Sequence, residues 1–411
     1  MFTNYLKIAL RNMRKNKLDT ILNISGLSLG IALSVLILFH IQDEQSFDHH
    51  FPKADRIFRI SCEMKEGNNV RHWATTSPMM SEYLTQAFPE IEKTCRLFLI
   101  PSQVLSYFPE NEMARRFKES SGFFADQSSI DLFDFKFITG DPKTALTEVN
   151  SIVLTQSTAE KFFPNENPLG KMLSFSYSSK PEDLLKITGV VQNLPSNTHF
   201  DFSYLVSFPT FYVFLQELGQ EQLGQSKGWA ALYNYVLLKD KNLFTNVEAK
   251  LPDFTAEYFQ DMGSRDEILA RVGFHIQPIV DIHLHSKLEQ EFKANSDITF
   301  VYIFSAIAIF IVLVAAVNFI NITTAQALNR MRDFGLRKVL GGRRDQLIGQ
   351  ILGESFLYIF IAAIISFILI DFALPFYNLL SGKHYLFASI FQRLNIALIF
   401  GIVLLFGLLV S

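Results

Sequence analysis

The residues best placed to do chemistry lie between Arg330 and Arg344, where Arg330, Arg332, Arg337, Lys338, Arg343 and Arg344 set six cations between two membrane-length apolar runs. Guanidinium groups make two-pronged bonds to carboxylates and phosphates, so this stretch offers a docking surface for an acidic partner or anionic lipid, not a reaction centre. Within it Phe334, Leu336, Val339 and Leu340 supply apolar knobs beside Arg332, Arg337 and Lys338, as in a short helix that docks in a groove. A second cluster, Asp281, His283 and His285, would share one face of a strand and could hold a metal. The same pattern describes a half-buried strand with a polar outer face, and no HExxH or cysteine pair accompanies it. His49-His50 reads as a solvated turn, and Cys62 and Cys95 suit either a disulfide or two buried thiols. No GxxxxGK[ST] phosphate loop occurs, since Gly170-Lys171-Met172 lacks both the first glycine and the metal-binding hydroxyl, and no GxSxG elbow is present. The chain therefore reads as non-enzymatic, with no catalytic, cofactor or metal site of its own.

The elements that position the basic stretch are membrane helices. With 49% hydrophobic residues and 41 Phe among 411, the chain is rich for a soluble protein yet too polar to lie wholly in a bilayer. Crossing the hydrocarbon core takes about 20 apolar residues, and four runs qualify: Ile21–Ile41, Phe300–Ile320, Ile348–Ile370 and Leu394–Val410. Residues 1–20 and 330–345 each sum to +4 and the charges beyond 345 cancel, so the overall −3 leaves −11 on residues 42–297. Basic segments stay in the cytoplasm, which predicts a cytoplasmic N-terminus, an extracytoplasmic 42–297 and a cytoplasmic loop over 325–347. A cleaved signal peptide is the competing reading of the start. The apolar run is too long for one, and no small-x-small site follows His40-Ile41-Gln42-Asp43. Over residues 1–20, Phe2, Tyr5, Leu6, Ala9 and Met13 recur at helical spacing among Lys7, Arg11, Arg14 and Lys15, the pattern of an interfacial helix on membrane lipid. In the first span, Gly26, Gly30 and Ser34 recur every four residues, which would let another helix approach closely. The spans offer no row of ionisable residues for a solute path, since His40, Glu354 and Asp371 sit toward their ends.

Residues 42–297 are numerous enough to fold alone, as two subdomains of an α+β class. Strands are predicted over Arg56–Cys62, Arg96–Ile100, Ser151–Leu154, Leu185–Val191, Tyr233–Leu238 and Phe274–Leu284. A helix with a capping box at Ser157-Thr158-Ala159-Glu160 should stop at Pro164, and another should start at Ser77-Pro78 and end near Pro89.

The loop Arg332–Gly341 resembles that of FtsX-like permeases of the MacB type of ABC transporter, whose motif after the second span reads approximately E-[IV]-G-[IL]-R-[RK]-x-[LI]-G. Asp333 replaces the usual Glu, while Gly335, Leu336, Arg337, Lys338, Leu340 and Gly341 stand where the family has them. The opening Tyr5–Asn12, the Ser157–Lys171 segment, Ile187–Val191 followed by Leu194–Phe200, and Gly353-Glu354-Ser355 are also similar. The resemblance implies a MacB-like periplasmic core domain over 42–297 and an FtsX-like domain over 298–411, with spans near 300–320, 348–370 and 394–411. It further implies a permease of the bacterial inner membrane whose loop, Arg332 to Gly341, meets a separate ATPase that holds ATP and Mg. Such a permease exports a drug, peptide or lipoprotein by transmitted motion, beside a second permease copy, with room for a periplasmic adaptor and none for nucleic acid. The apolar run to Ser411 ends without a basic tail, so the reading expects the N-terminal half of a longer, duplicated permease. Two other classes stay open: a receptor whose outward domain binds a ligand, and a tethered metalloenzyme using Asp281, His283 and His285.

Overall fold

The computed structural model describes residues 2–67, 69–110, 113–175, 184–329, 344–383, 385–388 and 401. They form two compact units, one of Met1–Gln45 with Ile298–Ser411 and one of Ser46–Asp297. The helices are α1 (Phe2–Lys15), α2 (Lys17–Gln45), α3 (Met80–Ala87), α4 (Ser128–Phe133), α5 (Gln156–Phe162), α6 (Phe208–Glu217), α7 (Phe244–Tyr258), α8 (Arg265–Leu269), α9 (Ile282–His285), α10 (Ile298–Asn329) and α11 (Arg344–Ser381). The strands are β1 (Ile57–Glu66), β2 (Asn69–Trp73), β3 (Ile91–Ile100), β4 (Gln103–Tyr107), β5 (Arg115–Glu119), β6 (Gly122–Ala125), β7 (Phe137–Gly140), β8 (Ser151–Thr155), β9 (Met172–Phe175), β10 (Leu184–Val191), β11 (Tyr204–Ser207), β12 (Tyr233–Leu238) and β13 (Val272–Pro278).

In the first unit, Lys17–Gln45, Ile298–Gln326 and Leu352–Ser381 are long and apolar enough to cross a membrane, three helices among the described residues. The fourth expected span, Leu394–Val410, lies outside the described residues apart from Gly401. Small residues on α2 let α10 approach: a Cβ at Gly30 would lie 2.7 Å from that of Ala315, and one at Gly26 would lie 3.1 Å from the Asn318 amide. Ser34 is buried on the same helix. The segments Tyr5–Asn12 and Gly353-Glu354-Ser355 meet here, because Asn12 donates to the Glu354 carboxylate at 3.3 Å.

The second unit is built on a thirteen-stranded sheet whose main path runs β13-β1-β12-β3-β6-β11-β8-β10-β9-β4-β5, with β2 on β1 and β7 on β10. Side chains alternate between the two faces of a strand. Tyr233, Tyr235 and Leu237 of β12 join Cys95, Leu97, Phe123, Val153 and Leu205 in one core along one face. The opposite face carries two separate clusters. Phe58, Ile60 and Val236 pack with α3 and α7 in one, while Phe124, Ile152, Leu154 and Val206 pack with α5 and α6 in the other. Burial on both faces explains why the central strands read as unbroken apolar runs. Gly122 begins β6 because the Tyr204 ring covers it, leaving only 2.3 Å to a built Cβ.

Several sequence expectations are corrected. The Ser157 capping box does not form; α5 starts at Gln156, and the Thr155 hydroxyl bonds that of Thr158 at 3.0 Å. The helix expected from Ser77 starts at Met80, because the Ser77 hydroxyl is engaged by that of Tyr258. A capping box does occur at Ser264 and Glu267. The strand expected over Phe274–Leu284 ends at Pro278, and Ile282–His285 is helical. Cys62 and Cys95 are free thiols on strands separated by β12, in different clusters. Burial pushes the Cys62 thiol up to about 12 and Cys95 well above its ordinary value.

Candidate functional site

The chain enters the sheet unit at Ser46 from α2 and leaves it at Asp297 into α10. The incoming end is fastened to the Asn197–Phe200 loop, which reaches β12 through His199, and the outgoing end is fastened to β1 and to the same loop.

The incoming end turns on Asp48, whose φ of 61° is the left-handed region that few residues other than glycine adopt. Its backbone N–H donates to the Asn197 carbonyl at 3.0 Å, and the Asn197 amide donates back to the Ser46 carbonyl at 3.0 Å. The Asp48 carboxylate is fully buried. It accepts from the Thr198 hydroxyl at 2.6 Å and the His199 backbone N–H at 3.1 Å, and its other oxygen lies 2.8 Å from His199 Nδ1. An ionised carboxylate can only accept, so Nδ1 carries the proton. On the other side of the ring, Nε2 lies 2.8 Å from the Tyr235 hydroxyl. Burial pushes the Asp48 carboxyl up, but the charge and hydrogen bonds of His199, with those of Thr198, outweigh it and hold the group below its ordinary value.

The outgoing end is strapped to β1. The Arg59 side chain is wholly buried and meets Glu291 through two bonds of 2.6 and 2.7 Å, with Gln277 at 2.8 Å and Ser286 at 2.9 Å. Beside it, the Tyr233 hydroxyl donates to the Gln290 carbonyl at 2.6 Å, and Glu289 binds Arg71 at 2.6 Å and the Trp73 ring at 3.1 Å. Two contacts join the ends directly: Phe47 stacks on His283 with ring centres 3.4 Å apart, and Lys293 donates to the Thr198 carbonyl at 3.2 Å. Removing one partner from a buried ionic set costs about 3–5 kcal/mol, because a charge is stranded. The fastening is therefore stiff.

The structure scatters the residues read as a metal cluster. His283 is buried against Phe47, whereas His285 is exposed and forms a 3.7 Å pair with Asp281 one helical turn away. His50 is not solvated as expected: both ring nitrogens are buried without a hydrogen-bond partner among the described residues, and burial lowers its pKa. The stretch Arg332–Gly341, with Asp333, Phe334, Gly335, Leu336, Arg337, Lys338, Val339 and Leu340, lies outside the described residues. Sequence reading missed the fastening altogether. Its one visible signal is Arg59, a cation on the inward side of an apolar strand where burial demands a partner.

The helical unit has a polar contact set at the end of α2. The buried Asp43 carboxylate accepts from Lys383 and from the Tyr385 hydroxyl, and Glu44 lies 3.4 Å from Lys383. The Asn378 amide closes the following turn by donating to the Tyr385 carbonyl at 2.9 Å. Burial pulls the Lys383 ammonium below its ordinary value, against the pull of Glu44.

Three membrane-length helices among the described residues, with a large α/β domain inserted between the first and second, define a class: a membrane protein with a large inserted domain. Family comparison narrows it. Residues 20–254 match the MacB-like periplasmic core domain and residues 305–411 match the FtsX-like permease C-terminal region. The chain belongs to the MacB-like and FtsX-like permeases of ABC transporters. It is 24% identical over 373 residues to a macrolide export ATP-binding/permease protein MacB of Marinobacter nauticus, covering 89% of this chain and 52% of that one. With the protein of the same description from Acinetobacter baylyi it shares 21% over 368 residues, covering 88% of this chain and 50% of that one. The chain thus spans about half the length of these curated relatives. Among solved structures, it matches the periplasmic region of MacB from Actinobacillus actinomycetemcomitans at 16% identity and a TM-score of 0.35, over 55% of this chain and 90% of that one.

Proposed function

We propose that this permease transmits the motion of a separate cytoplasmic ATPase to its sheet domain, for export or extrusion of a drug, peptide or lipoprotein. The observation that carries the reading is the fastening of both domain ends: Asp48 to His199 and Tyr235, and Arg59 to Glu291. A pull on either connection reaches the same strands, β1 and β12, which pair directly. Force can then pass through these links without a solute channel between the spans.

In this reading the permease lies in the inner membrane, with residues 1–20 and 325–347 in the cytoplasm and 42–297 outside. A second permease copy stands beside it, lipid surrounds it, and a periplasmic adaptor can join outside. ATP and Mg belong to the ATPase. Arg332–Gly341 is the contact to it, with Arg337 and Lys338 as cations able to pair with a partner's carboxylates. The −11 charge on 42–297 favours a cationic cargo. Arg337→Glu together with Lys338→Glu is expected to abolish co-purification of the ATPase with the full chain. Unchanged pairing contradicts the role of the loop.

A further inference from the structure

One cavity of the sheet unit takes no part in the fastening. It opens where the two helical layers on one face of the sheet part company. Met80 and Leu84 anchor α3 in one cluster, and Phe208, Phe211 and Leu215 anchor α6 in the other. Between them β3 turns Thr94 and Arg96 to this face, opposite Cys95 and Leu97 in the continuous core. The result is a polar cleft of about 620 Å³ whose wall includes Ser81, Glu82, Thr85 and Gln86 of α3 and Tyr212 of α6. Clefts of this size at the junction of two packed layers are where proteins hold small ligands.

The charges in the cleft say what it takes. Asp126 grips Arg96 with two bonds of 2.9 Å, so this pair presents no net charge, and the guanidinium also lies over the Phe208 ring at 3.9 Å. Glu82, an exposed side chain at the rim of the cleft, forms no ion pair among the described residues, and its one side-chain hydrogen bond among them is a 3.5 Å bond from Gln86. Tyr212 accepts from Arg96 at 3.0 Å, which leaves its own proton to donate. One uncompensated carboxylate therefore faces a ring of hydroxyl and amide groups.

We propose that this cleft binds a small, polar ligand bearing a primary amine alongside hydroxyl or amide groups, the ammonium meeting Glu82 and an acceptor oxygen meeting Tyr212. A ligand there spans α3 and α6 and so bridges the two halves of the sheet unit. This site is independent of the coupling proposal and would stand if that failed.

The test is isothermal titration of the full chain in nanodiscs of phosphatidylcholine with kanamycin, a compact amine-rich sugar, and with maltotriose, a neutral sugar of similar size. Kanamycin should bind and maltotriose should not. Glu82→Gln should weaken kanamycin by about tenfold or more, the effect of losing one charge-assisted hydrogen bond. Gln86→Trp, an exposed position on α3, should fill the cleft and abolish binding. Equal binding of maltotriose would overturn the amine assignment. Absence of kanamycin binding, or binding that both variants leave unchanged, would overturn the site.

Discussion

In the sheet unit, Arg59 is wholly buried and reaches across from β1 to Glu291 on the outgoing end of the chain. In the helical unit, the buried acid Asp43 meets Lys383, whose 15% exposure is close to the 12% of Glu291, and the contact sits at the end of a helix. Both units bury charge between segments distant in sequence, 232 residues apart in the first and 340 in the second, but in the first Arg59 sits on a strand paired on both sides. The second closes the end of α2. The contrast separates a fastening between a strand and the outgoing end of the domain from one that closes the end of a helix.

The largest effect expected from breaking this contrast is at Arg59. Arg59→Met strands Glu291 and should cost the full chain about 3–5 kcal/mol of stability, read by denaturant unfolding through Trp73 and Trp229 fluorescence. A loss below about 1 kcal/mol, the range of exposed pairs, would erase the distinction between the two units. Lys383→Met should cost less, about 2–3 kcal/mol, because the Tyr385 hydroxyl still donates to Asp43. Thermal unfolding in detergent would check this, and Asp43→Asn with Lys383→Met should recover part of the loss.

Titration sharpens the comparison further. The folded pKa of Asp48 is held below its ordinary value. Its stabilising contribution is therefore present above the unfolded pKa of about 4 and is lost as the pH falls through the folded value. Asp48→Asn should lower stability at neutral pH by about 1–3 kcal/mol and flatten the loss seen in strong acid. His50 is also depressed from 6.5, so the unfolded chain binds its proton first and stability falls with pH below that value. His50→Gln should give the smallest change, a shallower slope between pH 7 and 5. A steeper slope would show that His50 is not held neutral.

Much of the fold was legible because it rests on local pattern. The Tyr233–Leu238 strand matches residue for residue, and α5 ends just before Pro164, as proline requires. The fastening was hidden for a different reason. Asp48 depends on a left-handed backbone in a short turn and on partners about 150 residues away, and nothing in Phe47-Asp48-His49-His50 announces either. The capping box misled because Ser157 matches the motif, yet Thr155, at the end of β8, takes the cap position. Thr94 and Arg96 likewise became a cleft floor only once the sheet placed them between two helical layers.

The central claim is that both domain ends act as one unit in passing motion from the ATPase. Hydrogen exchange on the full chain with its ATPase, with and without ATP, tests it most directly. The account predicts that peptides covering 46–51, 194–200 and 286–297 change protection together on adding ATP. It also predicts that Arg337→Glu with Lys338→Glu removes the change at all three. Exchange that shifts at one end of the domain while the other stays still, or no shift while the ATPase is bound and turning over, would contradict it.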